Sequence, residues 1–279
     1  MVAGVTRIDA TNTWWEVDGF RDTLVSAGIP VLKRHELERI DYDIMCSFTY
    51  GFLIESELIN RAQFAVNLHE SPLPRYRGCN GYSHAILEGD TTYGTTLHVM
   101  EASLDSGPII DQEVFPIFPN ETSKELYVRT AFTSTDILKR NLPNMATLSM
   151  TTRDIDVSSE PIHPRNSLET LKILQPEDFS DADAFSRKIR AFDFAPFEPA
   201  YLDTTAGRVY FFTNGSLGRI YLDTKQMRHL PFASLNPYVN TDTICIDGFP
   251  REIIAMPRAE YATRFRVFSP GDRHTAVIS

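Results

Sequence analysis

Short apolar runs alternate with amphipathic stretches through the first half of the chain, a pattern that builds a parallel sheet covered by helices. The first run, residues 1–8, reads as a strand. Asp18 then caps a helix over residues 19–27, where Phe20, Leu24 and Val25 recur at helical spacing, and Gly28 stops it before the extended Ile29-Pro30-Val31. Tyr42 to Phe48 and Phe64 to Leu68 are short and apolar enough to be buried strands, with a short helix from Glu55 to Arg61 between them. Past residue 70 the pattern breaks. Pro72 and Pro74 bias their predecessors toward extended geometry, so residues 71–78 form a structured loop.

Periodicity returns with a helix over residues 81–88 and strands at 94–101 and 109–116. Glu121 to Arg140 has helical spacing with Asn120 or Thr122 as its cap, and Pro143 lies just beyond its expected end. Residues 150–166 are rich in Ser, Thr, Asp and Pro, which marks a linker or surface excursion. After it, Asp181 caps a helix through Phe185, Ile189 and Phe192, and the runs Gly207 to Phe212 and Gly218 to Leu222 read as strands. The expected organisation is an α/β catalytic domain over residues 1–150 and a smaller C-terminal domain, helix then β-rich, over residues 151–279.

With 27 Lys and Arg against 37 Asp and Glu the net charge is −10, the wrong sign for holding a phosphate backbone, so a nucleic-acid partner is disfavoured. Cys46, Cys79 and Cys245 are odd in number and far apart, matching neither a disulfide framework nor zinc-ligand spacing. A reducing compartment and no metal are expected. No apolar run reaches the roughly 18 residues of a membrane span. The N-terminus lacks the basic, apolar and small-residue zones of a signal peptide, so the expected location is cytoplasmic.

The candidate chemistry lies between Asn67 and Asp105. In a strand, residues two apart face the same way, so Asn67 and His69 project an amide and an imidazole together at the strand's carboxyl end, where open α/β sheets bind ligands. Asp105 arrives from the end of a later strand. An amide can donate to an oxyanion forming on a carbonyl, while a carboxylate orients an imidazole and favours its protonated form. Taken singly, each residue also fits a structural role, with Asn67 capping the loop and Asp105-Ser106-Gly107-Pro108 making a turn.

The string Asn67-Leu68-His69-Glu70-Ser71-Pro72-Leu73-Pro74-Arg75-Tyr76-Arg77-Gly78 resembles the formyltransferase pattern N-x-H-x-S-x-L-P-x-x-x-G. Gly94 to Met100 and Leu104 to Ile110 resemble that family's G-x-T-x-H and D-x-G segments in the expected order. Lys188 to Phe192, with Pro196 and Ala200, resembles the start of the small C-terminal domain of methionyl-tRNA and nucleotide-sugar formyltransferases. The resemblance implies a Rossmann-like first domain and transfer of a formyl group from 10-formyltetrahydrofolate to an amine, without a metal. Asn67 would bond the formyl oxygen, and His69 would manage the protons with Asp105 raising its pKa. The folate pocket would be lined by Phe52, Leu53 and Ile54 on one wall and by Leu104 and Asp105 on the other. His98 matches a family position but reads as a buried, satisfied residue. Arg75 and Arg77 read either as ligands for phosphate or the folate glutamate, or as solvated loop charges.

The resemblance points to a nucleotide-linked amino sugar as acceptor, with cell-surface polysaccharide synthesis such as that of lipopolysaccharide as its setting and a homodimer as its form. Methionyl-tRNA is the alternative, against which the net charge argues. Glycinamide ribonucleotide transformylases stop soon after the first domain, and formyltetrahydrofolate hydrolases carry a further N-terminal domain. The chain is expected to lack the strand-helix unit with which relatives begin. A non-catalytic folate- or nucleotide-binding relative is therefore a second alternative. Trp14-Trp15 reads as a packing anchor or, alternatively, a stacking platform.

Overall fold

The computed structural model describes residues 3–5, 20–194, 197–205, 207–213, 242–244 and 253–258. Strand β1 (Gly4–Val5) runs parallel to β2 (Val31–Leu32), and α1 (Phe20–Ser26) connects the two. Leu24 packs so closely on the Gly4 backbone that an added Cβ there would lie 2.3 Å from its Cδ1. The helix stops at Gly28, whose φ of 69° suits glycine. Residues 6–8 of the first predicted strand, Trp14-Trp15, Asp18 and Pro196 lie outside the described residues.

The main sheet has the order β3-β4-β6-β7, made of β3 (Ile44–Phe48), β4 (Phe64–His69), β6 (Thr92–Val99) and β7 (Ile109–Pro116). Strand β3 runs parallel to β4 with Ser47 opposite Asn67, whereas β6 runs antiparallel with Asn67 opposite His98 and His69 opposite Thr96. Between β3 and β4 lies α2 (Ser56–Ile59); β5 (Arg77–Gly78) and α3 (Gly81–Glu88) precede β6. Fully central, β4 buries Ala65, Val66 and Leu68. Strand β3 was expected to be buried but is half-exposed, with Cys46 open to solvent, because among the described residues only β4 pairs with it.

Helix α4 (Ser123–Ala146) covers the sheet, and Ile137 and Met145 join Val66, Leu68 and Leu97 in one core. Its start is a reciprocal cap: Glu125 accepts from the Thr122 N–H at 2.8 Å, and Thr122 Oγ1 accepts from the Glu125 N–H at 3.3 Å. The helix does not end before Pro143 as predicted but runs through it. A proline there costs one backbone bond, and burial of Ile137 and Met145 on either side holds the last turns in register.

Contacts group the chain into two compact units, one formed by Met1–Gly78, Gly94–Phe115 and Thr130–Ile162, the other by the remaining segments. The first is the α/β unit with a mixed sheet and flanking helices. The second contains β8 (Ile162–His163) from its second residue on, α5 (Ala182–Phe192) and an antiparallel sheet of order β11-β12-β10-β9. Those strands are β9 (Ala200–Thr204), β10 (Gly207–Thr213), β11 (Asp242–Ile244) and β12 (Ile253–Pro257). Asp181 caps α5 by accepting from the N–H groups of Asp183 and Ala184 at 2.9 and 3.0 Å, and the predicted Phe185, Ile189 and Phe192 are its buried face. The Gly218 to Leu222 strand lies outside the described residues; β9, β11 and β12 had no legible pattern.

Candidate active site

Strand β4 presents Asn67 and His69 from one face, and the loop after β6 brings a carboxylate to them. That loop is pinned at its ends by Val99 N–H to Pro108 O at 2.9 Å and Met100 N–H to Ala65 O at 2.8 Å. Gly107 makes the closure possible: an added Cβ would sit 2.0 Å from Val99 O. Asp105 adopts a φ of 49°, a left-handed conformation that turns its side chain inward, where it is 7% exposed. One carboxylate oxygen accepts the Gly78 N–H at 2.9 Å and faces His69 Nδ1 at 3.6 Å; the other lies 3.5 Å from Asn67 Nδ2 and 3.7 Å from His98 Nε2.

The hydrogen bonds fix both imidazole tautomers, because a carbonyl can only accept. Nε2 of His69 lies 3.0 Å from Tyr76 O and therefore carries the hydrogen, leaving Nδ1 as the basic nitrogen beside Asp105. Nδ1 of His98 donates to Val99 O at 2.8 Å, so Nε2 accepts from the Asn67 amide at 3.2 Å. The trio thus has a fourth member. His98 is buried and satisfied as expected, but its satisfaction consists in orienting Asn67.

Electrostatics separate the two titrating groups. Burial works against the Asp105 charge, yet the neighbouring His98 and His69 rings and the Gly78 N–H hold its pKa down at about 2. Burial lowers the His69 pKa, and the opposing pull of Asp105 and of the Tyr76 carbonyl only partly offsets this. Asp105 pulls the His69 pKa upward, as expected, but desolvation of the ring outweighs that pull. A neutral imidazole beside a fixed carboxylate is a base whose protonated form is stabilised as it appears.

Asn67, His69 and Asp105 therefore form one cluster, with Leu104 next to it and 37% exposed. Phe52 and Leu53, 41% and 71% exposed, and the half-buried Ile54 lie on the loop after β3. Because β3 and β4 are parallel, that loop leaves the same end of the sheet as His69. Arg75 is exposed, as the reading of a solvated loop charge has it, whereas Arg77 is not. Arg75 lies over the Tyr76 ring at 4.7 Å and donates to its hydroxyl at 2.8 Å. Arg77 is only 5% exposed and turns inward, bonded to Leu104 O, Ser103 and Glu160 O. Alternation along a two-residue strand carries no signal that would have revealed this. Among the described residues no group of His, Cys, Asp and Glu is arranged to hold a metal, and no helix is long and apolar enough to cross a membrane.

A carboxylate, an imidazole and an amide converging at the end of an α/β sheet supply the groups that acyl-transfer chemistry uses: an oxyanion donor, a base and an orienting charge. Residues 32–142 match the family described as formyl transferase. A methionyl-tRNA formyltransferase of Methylococcus capsulatus is 29% identical over 196 residues, covering 67% of this chain and 63% of the relative. The chain thus spans less than two thirds of that relative's length. Among solved structures, a sugar N-formyltransferase from a Shewanella species aligns with a TM-score of 0.60 at 23% identity, covering 70% of this chain and 80% of that one. An N-formyltransferase from Helicobacter canadensis, solved with folinic acid and dTDP-3-aminofucose, aligns with a TM-score of 0.63 at 17% identity over 89% of this chain and 87% of its own. At these identities the two structures establish the shared fold.

Proposed function

We propose that the chain transfers a formyl group from 10-formyltetrahydrofolate to the amine of a nucleotide-linked amino sugar. The convergence of Asn67, His69 and Asp105 carries this reading. The folate supplies an activated formyl group on nitrogen. Exposed apolar side chains, Phe52 and Leu53 on the loop after β3 and Leu104 beside Asp105, suit the flat face of a pterin, with Ile54 and Asp105 completing its surroundings. The Asn67 amide, whose contact with Asp105 is long at 3.5 Å, swings its hydrogen onto the formyl oxygen as that oxygen gains negative charge. His69 accepts the proton of the attacking amine at Nδ1, and the resulting imidazolium is held between Asp105 and the Tyr76 carbonyl. Returning that proton to the departing folate nitrogen closes the cycle.

The sugar acceptor is supported by structural neighbours that are sugar N-formyltransferases, one solved with a dTDP-amino sugar, and by the net charge of −10. Methionyl-tRNA is the second reading, favoured by the curated relatives. Mass spectrometry after incubation with 10-formyltetrahydrofolate and a panel of 3-amino and 4-amino nucleotide sugars, methionyl-tRNA and glycinamide ribonucleotide separates them. A single formyl group gained by one nucleotide sugar is expected; formylation of methionyl-tRNA alone would replace the sugar reading.

A further inference from the structure

Arg77 is a buried cation that, among the described residues, bonds only neutral acceptors. Its Nε and one terminal nitrogen donate to Leu104 O at 3.1 and 2.6 Å. The same terminal nitrogen reaches Ser103 Oγ at 3.2 Å, and the other donates to Glu160 O at 3.4 Å. Taking a guanidinium out of water without a carboxylate partner is unfavourable unless its planar fork is matched to fixed acceptors. Here the fork grips the peptide that joins Leu104 to Asp105. The next residue along the chain, Gly78, donates its N–H to the Asp105 carboxylate at 2.9 Å. Consecutive residues of β5 therefore hold the backbone just before Asp105 and its side chain.

The geometry points to Arg77 as a positioning residue that holds Asp105 in its left-handed turn, with the carboxylate aimed at His69. Asp tolerates a positive φ better than most residues, and Ser106 braces the loop from within by donating to Ser103 O at 2.9 Å, but the peptide before Asp105 and the carboxylate itself are held from outside the loop, by Arg77 and Gly78. The inference rests on the formyl-transfer reading for the importance of the His69–Asp105 pair, and the arginine itself touches none of the proposed reacting atoms.

The charge sign makes the test clean. The groups facing His69 are Asp105 from the loop, His98 across the sheet with ring centroids 6.3 Å apart, and the Tyr76 carbonyl. Removing a nearby cation would by itself raise the His69 pKa, whereas letting the Asp105 carboxylate drift away lowers it. The imidazole of His69 is titrated by NMR in the full chain for the wild type, Arg77→Lys, Arg77→Gln and Asp105→Asn. Asp105→Asn is expected to lower the His69 pKa by about one unit or more, the scale of losing an opposite charge at close range. Arg77→Lys, which keeps the charge but not the fork, is expected to lower it by about half a unit, and Arg77→Gln to lower it too. A His69 pKa unchanged or raised in both arginine variants would overturn the proposal. Arg77→Lys keeps the test open should Arg77→Gln fail to fold. The titration needs no turnover, so absence of formyl product from the wild type would count against the transfer reading and leave the clamp to stand or fall on the NMR shifts.

Discussion

His69 gains its usefulness from opposing effects on a single ring. Burial keeps it neutral near pH 7, and Asp105 with the Tyr76 carbonyl waits to stabilise it once protonated. The rate of formyl transfer is accordingly expected to fall as pH drops through a His69 pKa below the ordinary 6.5, and Asp105→Asn is expected to move that acid limb to lower pH while reducing the plateau; a pH–rate profile of both proteins checks this. Asn67→Ala should reduce kcat by about 10²–10³-fold, the usual loss for one oxyanion donor, with the thermal midpoint little changed. The Asp105 carboxylate contributes stability above its unfolded pKa that is lost only as pH falls toward about 2. At this scale the sequence was most legible: two-residue spacing on a strand placed Asn67 and His69 together. The orienting roles of His98 and Arg77 were not, because they depend on antiparallel register and on a loop folding back, which local spacing does not encode.

Among the elements, the loop from Met100 to Gly107 is the most exacting. A Cβ at Gly107 collides with backbone rather than with a flexible side chain, so Gly107→Ala is expected to cost about 1–3 kcal/mol and to lower kcat together with the thermal midpoint. In the second unit, α3 is tied to the segment after β8 by His84, which lies 2.8 Å from Ser167 Oγ and stacks on His163 with ring centroids 4.0 Å apart. Burial and then the His163 charge lower the His84 pKa to about 4. A folded-state pKa below the unfolded 6.5 means that stability is intact above pH 6.5 and is lost as pH falls toward 4, by on the order of 3 kcal/mol. Thermal melts between pH 7 and 4 should therefore show a smaller acid loss in His84→Gln than in the wild type. Helix α3 was readable from periodicity and α5 from its Asp181 cap and periodicity together, while α4 overran Pro143 because core burial outweighed a local stop signal.

At the scale of the whole chain, the apolar runs announce an α/β unit and a β-containing second unit, but they do not show that Cys79–Tyr93 and Pro116–Arg129 group with the second. What periodicity does not supply is the acceptor, since a shared fold hosts several acceptors and the contacts that choose among them lie in loops. Net charge bears on that choice only as a bulk property. The most direct measurement is the mass of a nucleotide-linked amino sugar incubated with 10-formyltetrahydrofolate and the wild type, Asn67→Ala, His69→Ala or Asp105→Ala. Expected is one added formyl group with the wild type and its near-complete loss in all three folded variants. A wild type that binds the folate but formylates no acceptor, or variants that formylate at the wild-type rate, would contradict the assignment.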